Sequence, residues 1–176
     1  MEHDHDFHDT HSSQAFNALV ESALLDEDAL RSNVDAINED INTLKDIFNS
    51  RLNDSSFEST PLEWGKVSDI GPYSDLCRDL SHSERALLLF SLLTHYAPEV
   101  LRELVAPVQH GLVINNFHVG GFVKRSSQQF IPTLQTVLFA CAGTDKAEQQ
   151  LIYRELVMEG SLMKKQIVAL LSFDDS

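Results

Sequence analysis

The sequence predicts a mainly α-helical fold with one short β element, and three observations support this prediction. Apolar residues recur at helical spacing through most of the 176 residues. β-Type residues interrupted by glycine occur together near residues 112–123. Hydrophobic residues make up 43% of the chain, which is enough to bury a core. We therefore expect a helical domain with a short β element near residues 112–123, preceded by a helical hairpin.

The formal net charge of −14 limits the kinds of partner that the chain can bind. Attraction to a phosphate backbone requires clustered Lys and Arg, so the charge disfavours nucleic acid and anionic membrane surfaces. Residues 1–60 contain 14 of the 27 acidic residues but only three basic ones, Arg31, Lys45 and Arg51. In the rest of the chain the numbers of acidic and basic residues are much closer to equal. We expect protein partners, and an oligomer is compatible with the sequence.

Cysteine content and hydropathy indicate a cytoplasmic protein. Two cysteines far apart in sequence, Cys77 and Cys141, do not form a disulfide framework, which favours a reducing compartment. The first residues are polar and acidic, unlike a secretory signal. A membrane helix needs about 20 consecutive apolar residues, and no run in the sequence approaches that length.

The N-terminal third divides into a tail and a helical segment. Residues 1–13 are acidic and rich in histidine, and they predict a flexible tail. Residues 14–52 predict a helical hairpin or coiled-coil-like segment, with an acidic turn at Asp26–Asp28. Its second helix has a narrow apolar seam with alternating steps of four and three residues, typical of a surface that packs on one partner helix. This seam is the candidate protein-interaction surface, and its residues are Leu30, Val34, Ile37, Ile41, Leu44 and Phe48.

Residues 53–80 are rich in polar and turn-forming residues and predict a linker that packs locally, anchored by Phe57 and Trp64. Residues 81–176 predict a compact helical domain. Ser81 and Glu84 have capping-box spacing ahead of a helix that is apolar nearly all round and should form the centre of the core. Pro98 is suited to the first position of the next helix.

After the β element, residues 124–129 predict a polar loop that contains the basic pair Lys124 and Arg125. Helices resume at Thr133, break at Gly143, and start again where Asp145 can cap toward Glu148. The pattern of residues 158–173 is compatible with either a helix or a strand.

No pattern in the sequence meets the requirements of a catalytic, cofactor or metal site. The tail histidines alternate with aspartates but have no spacing of a closed metal site, and Cys141 lies in an apolar helical run that favours a buried, unreactive thiol. Gly120 and Gly121 belong to neither the Walker pattern nor the dinucleotide-binding pattern. We expect no enzymatic activity, no cofactor and no metal.

Residues 81–146 resemble a segment that lies N-terminal to the ATPase module in a family of bacterial AAA+ ATPases. Several of those ATPases belong to contractile, phage-tail-like injection systems. The matching residues are Glu84-Arg85, Leu87-Leu88-Leu89, Ala97-Pro98-Glu99, Leu101, Phe117, Gly120-Gly121-Phe122, Phe130-Ile131-Pro132-Thr133, Gln135-Thr136, Leu138-Phe139, Ala142-Gly143 and Asp145. The resemblance implies a helical, winged-helix-like domain in front of a AAA+ ring.

Three hypotheses about function follow. In the first, the chain is a non-catalytic N-terminal interaction or regulatory domain of a AAA+ ATPase, with its own AAA+ module and an injection-system component as partners. In the second, it is a stand-alone adaptor or assembly protein that oligomerises through its N-terminal helix. In the third, it is a transcriptional winged helix with Lys124 and Arg125 in the wing, which the net charge of −14 disfavours.

Overall fold

A computed structural model describes residues 27–54, 60–67, 71–111 and 118–165. Within these residues the protein is mainly helical and has one two-stranded antiparallel sheet, which confirms the predicted fold class at this level. The tail at residues 1–13, the first helix of the predicted hairpin and the run at residues 112–117 lie outside the described residues. The elements in chain order are α1 (Glu27–Asn53), α2 (Pro72–Arg78), α3 (His82–Tyr96), α4 (Pro98–Gln109), β1 (Phe122–Lys124), β2 (Gln129–Ile131), α5 (Leu134–Ala142), α6 (Lys146–Arg154), a π-helical turn (Glu155–Glu159) and α7 (Ser161–Lys164).

Helix α3 lies at the centre of the core, as its sequence predicts. Every residue from Glu84 to Phe90 is buried, and Leu92 and Leu93 are buried as well. Ser81 caps the helix, because its hydroxyl oxygen accepts a hydrogen bond from the Glu84 amide at 3.2 Å. Glu84 does not complete the predicted capping box, since its carboxylate accepts hydrogen bonds from α7 instead. Pro98 occupies the first turn of α4, as predicted.

Helix α1 packs into the domain along its C-terminal half. Leu44, Phe48 and Leu52 are buried almost completely, and the Phe48 ring meets that of Phe139 in α5 edge to face at 5.5 Å. A helix of 27 residues is about 40 Å long, so its apolar side passes several elements in turn. It contacts α2, α3, α4 and α5. The C-terminal half of this helix is therefore part of the compact domain and does not project from it.

The predicted linker at residues 53–80 contains a helix, α2, that was not predicted from the sequence. Leu62 and Trp64 precede it and are buried, and Tyr73 and Cys77 within it are buried too. A helix of seven residues is too short to show helical periodicity, and only Pro72 at its first turn indicates where it begins. The segment therefore contributes to the core of the domain.

Within the described residues, the β element begins at Phe122 and extends past the predicted range of residues 112–123. Among the described residues, β1 pairs with β2 in antiparallel register, with Val123 opposite Phe130. Both ends of the predicted polar loop at residues 124–129 are thus strand residues, because the chain reverses within residues 125–128. Gly121 precedes β1 with φ of 78°, and a Cβ there would meet the Phe130 ring, so the hairpin requires glycine at this position.

Helix α5 begins and ends where the sequence predicts, and α6 begins where it predicts. Thr133 and Thr136 form a reciprocal capping box at the start of α5, and Gly143 ends it with φ of 58°. Asp145 caps α6 through a 3.1 Å hydrogen bond from the Glu148 amide to its carboxylate. Beyond α6, the described part of residues 158–173 contains the end of the π-helical turn and α7. No described helix is long and apolar enough to cross a bilayer.

Candidate functional site

A buried ionic cluster joins α1, α2 and α3. The Arg85 guanidinium donates two hydrogen bonds to the Asp40 carboxylate, at 2.6 and 2.8 Å, and both side chains are nearly inaccessible to solvent. The Tyr73 hydroxyl donates a third hydrogen bond to Asp40, at 2.5 Å. Burial, followed by the nearby Cys77 and Asp40, raises the pKa of Tyr73 well above its usual value. The phenol therefore remains a neutral donor, and the cluster fixes the three helices to one another.

Arg85 also holds the segment before α2. It donates a hydrogen bond to the Gly65 carbonyl at 3.0 Å, and its guanidinium lies 5.3 Å from the centre of the Trp64 ring. The Trp64 indole donates to the His82 carbonyl at 2.8 Å, at the start of α3. Because Arg85 contacts Asp40, the Gly65 carbonyl and the Trp64 ring, this cluster is a structural support.

A second buried arginine, Arg51, fixes the end of α5. Its side chain donates hydrogen bonds to the carbonyls of Ala140 and Cys141, at 3.3 and 2.9 Å, and to the Thr60 carbonyl. These are carbonyls that the last turn of a helix leaves without a helical partner. Burial lowers the pKa of Arg51 from its usual value. The contact anchors the end of α5, and the Gly143 carbonyl accepts a 2.6 Å hydrogen bond from Gln149, which orients α6.

Glu84 anchors helix α7 to helix α3. One oxygen of its carboxylate accepts hydrogen bonds from the Ser161 amide at 3.0 Å, the Ser161 hydroxyl at 2.9 Å and the Leu162 amide at 3.3 Å. A carboxylate at the start of a helix satisfies amides that have no helical partner. Because α7 is tied to α3 in this way, the π-helical turn between α6 and α7 is held at both ends.

Next to the elements that these hydrogen bonds anchor, an open groove of about 430 Å³ lies on one side of α6. We call it the α6 groove. A π-helical turn widens the helical path and often occurs at functional sites, and here it places Met158 beside the groove with 68% of its surface exposed. Tyr153 is 47% exposed. The residues that line the α6 groove are Leu138, Lys146, Gln149, Gln150, Tyr153, Arg154 and Met158.

The charge of the α6 groove is opposite to that of the whole chain. Lys146 and Arg154 line it, and the described residues that line it include no carboxylate. Glu148 is two positions from Lys146, or about 200° around the helix, and therefore lies on the other side of α6. The groove combines exposed apolar surface with two cations and side-chain amides, a composition that suits binding of a protein segment.

The predicted interaction seam lies mostly inside the core. Ile41, Leu44 and Phe48 are buried, and Ile37 is partly buried against the same core. Val34 is 39% exposed, and Leu30 lies in the first turns of α1. Buried side chains cannot contact a partner unless the domain opens, so Ile41, Leu44 and Phe48 cannot serve as the interaction surface that the sequence predicts.

The α6 groove was not predicted from the sequence. Lys146, Gln150 and Arg154 follow one another at steps of four on α6, a spacing that places them on one side of the helix. That spacing is visible in the sequence, yet it equally describes an ordinary solvated helix surface. The exposed position of Met158 depends on the π-helical turn, for which the sequence gives no signal.

Both cysteines are buried in the core. Burial is the main cause that raises the pKa of Cys77 to about 11 and that of Cys141 to about 12. Both thiols remain protonated at neutral pH and are therefore poor nucleophiles. The histidines of the tail lie outside the described residues, and no cluster of metal-binding side chains occurs in the part of the chain that the structure describes.

The thiol pKa values predict that the protein loses stability at alkaline pH. A thiol pKa that is higher in the folded state favours folding below the unfolded pKa of about 9, and this contribution is lost as pH rises toward 11. We expect the urea midpoint to fall between pH 8.5 and about pH 10.5. Replacement of both cysteines by alanine should reduce the fall, and an identical fall in both proteins would contradict the assignment.

Comparisons with known proteins give no match. No protein-family model matches the chain, and neither a curated protein nor a solved structure matches it.

Proposed function

We propose that this protein is a non-catalytic protein-interaction domain and that the α6 groove is its binding site. The observation that carries the proposal is the exposed groove beside Tyr153 and Met158, held in place by buried contacts. The Arg51 and Glu84 hydrogen bonds fix the elements on either side of it. A binding surface on rigid supports loses little conformational entropy when a partner binds.

The resemblance to AAA+ ATPases supports a more specific form of the proposal. In that form the chain is the N-terminal region of an ATPase of a contractile injection system, it acts in the cytoplasm, and it brings a protein partner to the AAA+ ring. The hairpin β1–β2 between α4 and α5 would be the wing of a winged-helix-like domain. Lys124 ends β1 and Arg125 begins the turn, but the net charge of −14 argues against a role in DNA binding.

An affinity experiment with two matched variants tests the proposal. The full chain is immobilised, proteins retained from cells that express it are identified, and the retained protein is purified and titrated against the chain. Met158→Asp introduces a charge into the α6 groove, and we expect it to weaken binding at least tenfold. Val34→Asp makes the same kind of change on exposed surface of α1, and we expect it to leave the affinity unchanged.

The same variants separate the proposal from the adaptor alternative. The exposed Val34 on α1 is the observation that favours an oligomer formed through the N-terminal helix. Light scattering that shows a dimer, converted to a monomer by Val34→Asp and unaffected by Met158→Asp, would replace the proposed function with the adaptor. Ile41→Asp is unsuitable for this test, because Ile41 is a core residue and a buried charge would unfold the domain.

A further inference from the structure

The positions of the charges in the α6 groove indicate what kind of partner it binds. They indicate this more closely than its exposed apolar surface does alone. Lys146 and Arg154 are eight residues apart on α6, so they are about 12 Å apart along its axis. Between them, Tyr153 and Gln150 line the groove, with Met158 beyond the end of the helix. A ligand that follows α6 would therefore meet a cation near each end, Gln150 between them, and exposed apolar surface at Tyr153 and Met158 toward the C-terminal end.

The two cations have few partners of their own. Lys146 lies 3.5 Å from the Gln149 side-chain oxygen, a weak contact, and both Lys146 and Arg154 are exposed. No ion pair within the described part of the chain involves either of them. Their charges are thus available to a ligand, and carboxylates, the anionic side chains of proteins, pair with both lysine and arginine.

We propose that the α6 groove binds an acidic amphipathic helix of a partner protein; this inference rests on the proposed function. The apolar side of the ligand helix packs on Tyr153 and Met158, and carboxylates about two turns apart pair with Lys146 and Arg154. In a helix, carboxylates seven or eight residues apart are separated by about 10–12 Å, which matches the spacing of the two cations. The ligand is thus recognised by its charge spacing as well as by its apolar side.

The negative charge of the whole chain does not prevent this recognition. At physiological ionic strength charges are screened over about 8 Å, so the cations beside the ligand act more strongly than distant carboxylates. The chain's own segment at residues 14–25 has only one acidic residue, Glu21, and is a less suitable occupant in its predicted helical form. This segment precedes α1, which begins at Glu27, whereas the residue of α1 that anchors the end of α5 beside the groove is Arg51. Glu27 and Arg51 are about 36 Å apart along the helix. A helix of twelve residues folded back along α1 covers only about 18 Å of this distance.

Selection from a phage-displayed library of random 16-residue peptides tests the inference. The full chain is the bait, and peptides that also bind Met158→Asp are removed. We expect the remaining peptides to be acidic, with apolar residues at helical spacing and carboxylates seven or eight positions apart. Enrichment of neutral or basic peptides would overturn the inference but leave the proposed function intact. If no peptide depends on Met158, both the inference and the proposed function fail.

Charge reversal then tests the two cations directly. For a selected peptide, fluorescence anisotropy should show at least tenfold weaker binding to the Lys146→Glu, Arg154→Glu double variant, and wild-type affinity should fall as salt rises. The matched control is Lys124→Glu, Arg125→Glu, which reverses two exposed charges on the β-hairpin and should leave the affinity within twofold. An equal loss in both double variants would show a general charge effect and overturn the assignment of the two cations.

Discussion

Replacement of Arg85 by methionine is expected to lower the free energy of unfolding by about 3–5 kcal/mol. The change removes both hydrogen bonds from Arg85 to the Asp40 carboxylate, and only 2% of the Asp40 side chain is accessible to solvent. A buried charge that loses its partner has no water to replace it, which is why the loss exceeds that of an exposed ion pair. Urea denaturation followed by circular dichroism measures the change.

Arg78→Met is the matched control for this prediction. Arg78 forms an ion pair with Asp75 at 3.3 Å, but both side chains are more than half exposed. We expect its loss to cost at most about 1 kcal/mol, because water solvates the remaining carboxylate. If Arg85→Met and Arg78→Met destabilise the protein equally, the cluster around Asp40 does not have the structural role described above.

Replacement of Leu89 by alanine is expected to destabilise the protein by about 2–5 kcal/mol. Leu89 has no accessible surface and lies in the middle of α3, the central helix of the core. The substitution loses the burial of the larger side chain and leaves a cavity that the surrounding helices fill only in part. The thermal midpoint and the urea midpoint should both fall.

Leu151→Ala makes the same chemical change on the surface. Leu151 is 61% exposed on α6, so we expect its substitution to change the stability by no more than about 0.5 kcal/mol. A thermal midpoint that is unchanged by Leu89→Ala, or lowered as much by Leu151→Ala, would mean that α3 is not the centre of the core.

The sequence was informative wherever a local signal decides the structure. Ser81, Thr133 and Asp145 cap helices that the sequence predicts, because each side chain bonds to an amide only three residues away. Gly143 ends α5 because its positive φ favours glycine. The apolar run in α3 also predicted burial on all sides, because the hydrophobicity of each residue is itself a local signal of burial.

Features that depend on distant residues could not be predicted. Asp40 and Arg85 are 45 positions apart, and nothing near either of them indicates that they pair. The periodicity of α1 correctly identified Leu44 and Phe48 as lying on its apolar side. It did not indicate whether the chain's own core or another protein covers that side. The α6 groove likewise depends on how α5, α6 and the π-helical turn meet.

Photo-crosslinking from position 153 tests the central claim, that the α6 groove binds a protein, whatever the identity of the partner. Tyr153 and Tyr96 are both about half exposed but lie on different helices, α6 and α3. A benzophenone amino acid, close to tyrosine in shape, replaces each of them in turn in the full chain, in cells that express it. We expect a discrete adduct with one protein from position 153, lost when Met158→Asp is added, and no such adduct from position 96. An adduct from position 96 with none from position 153 would contradict the claim.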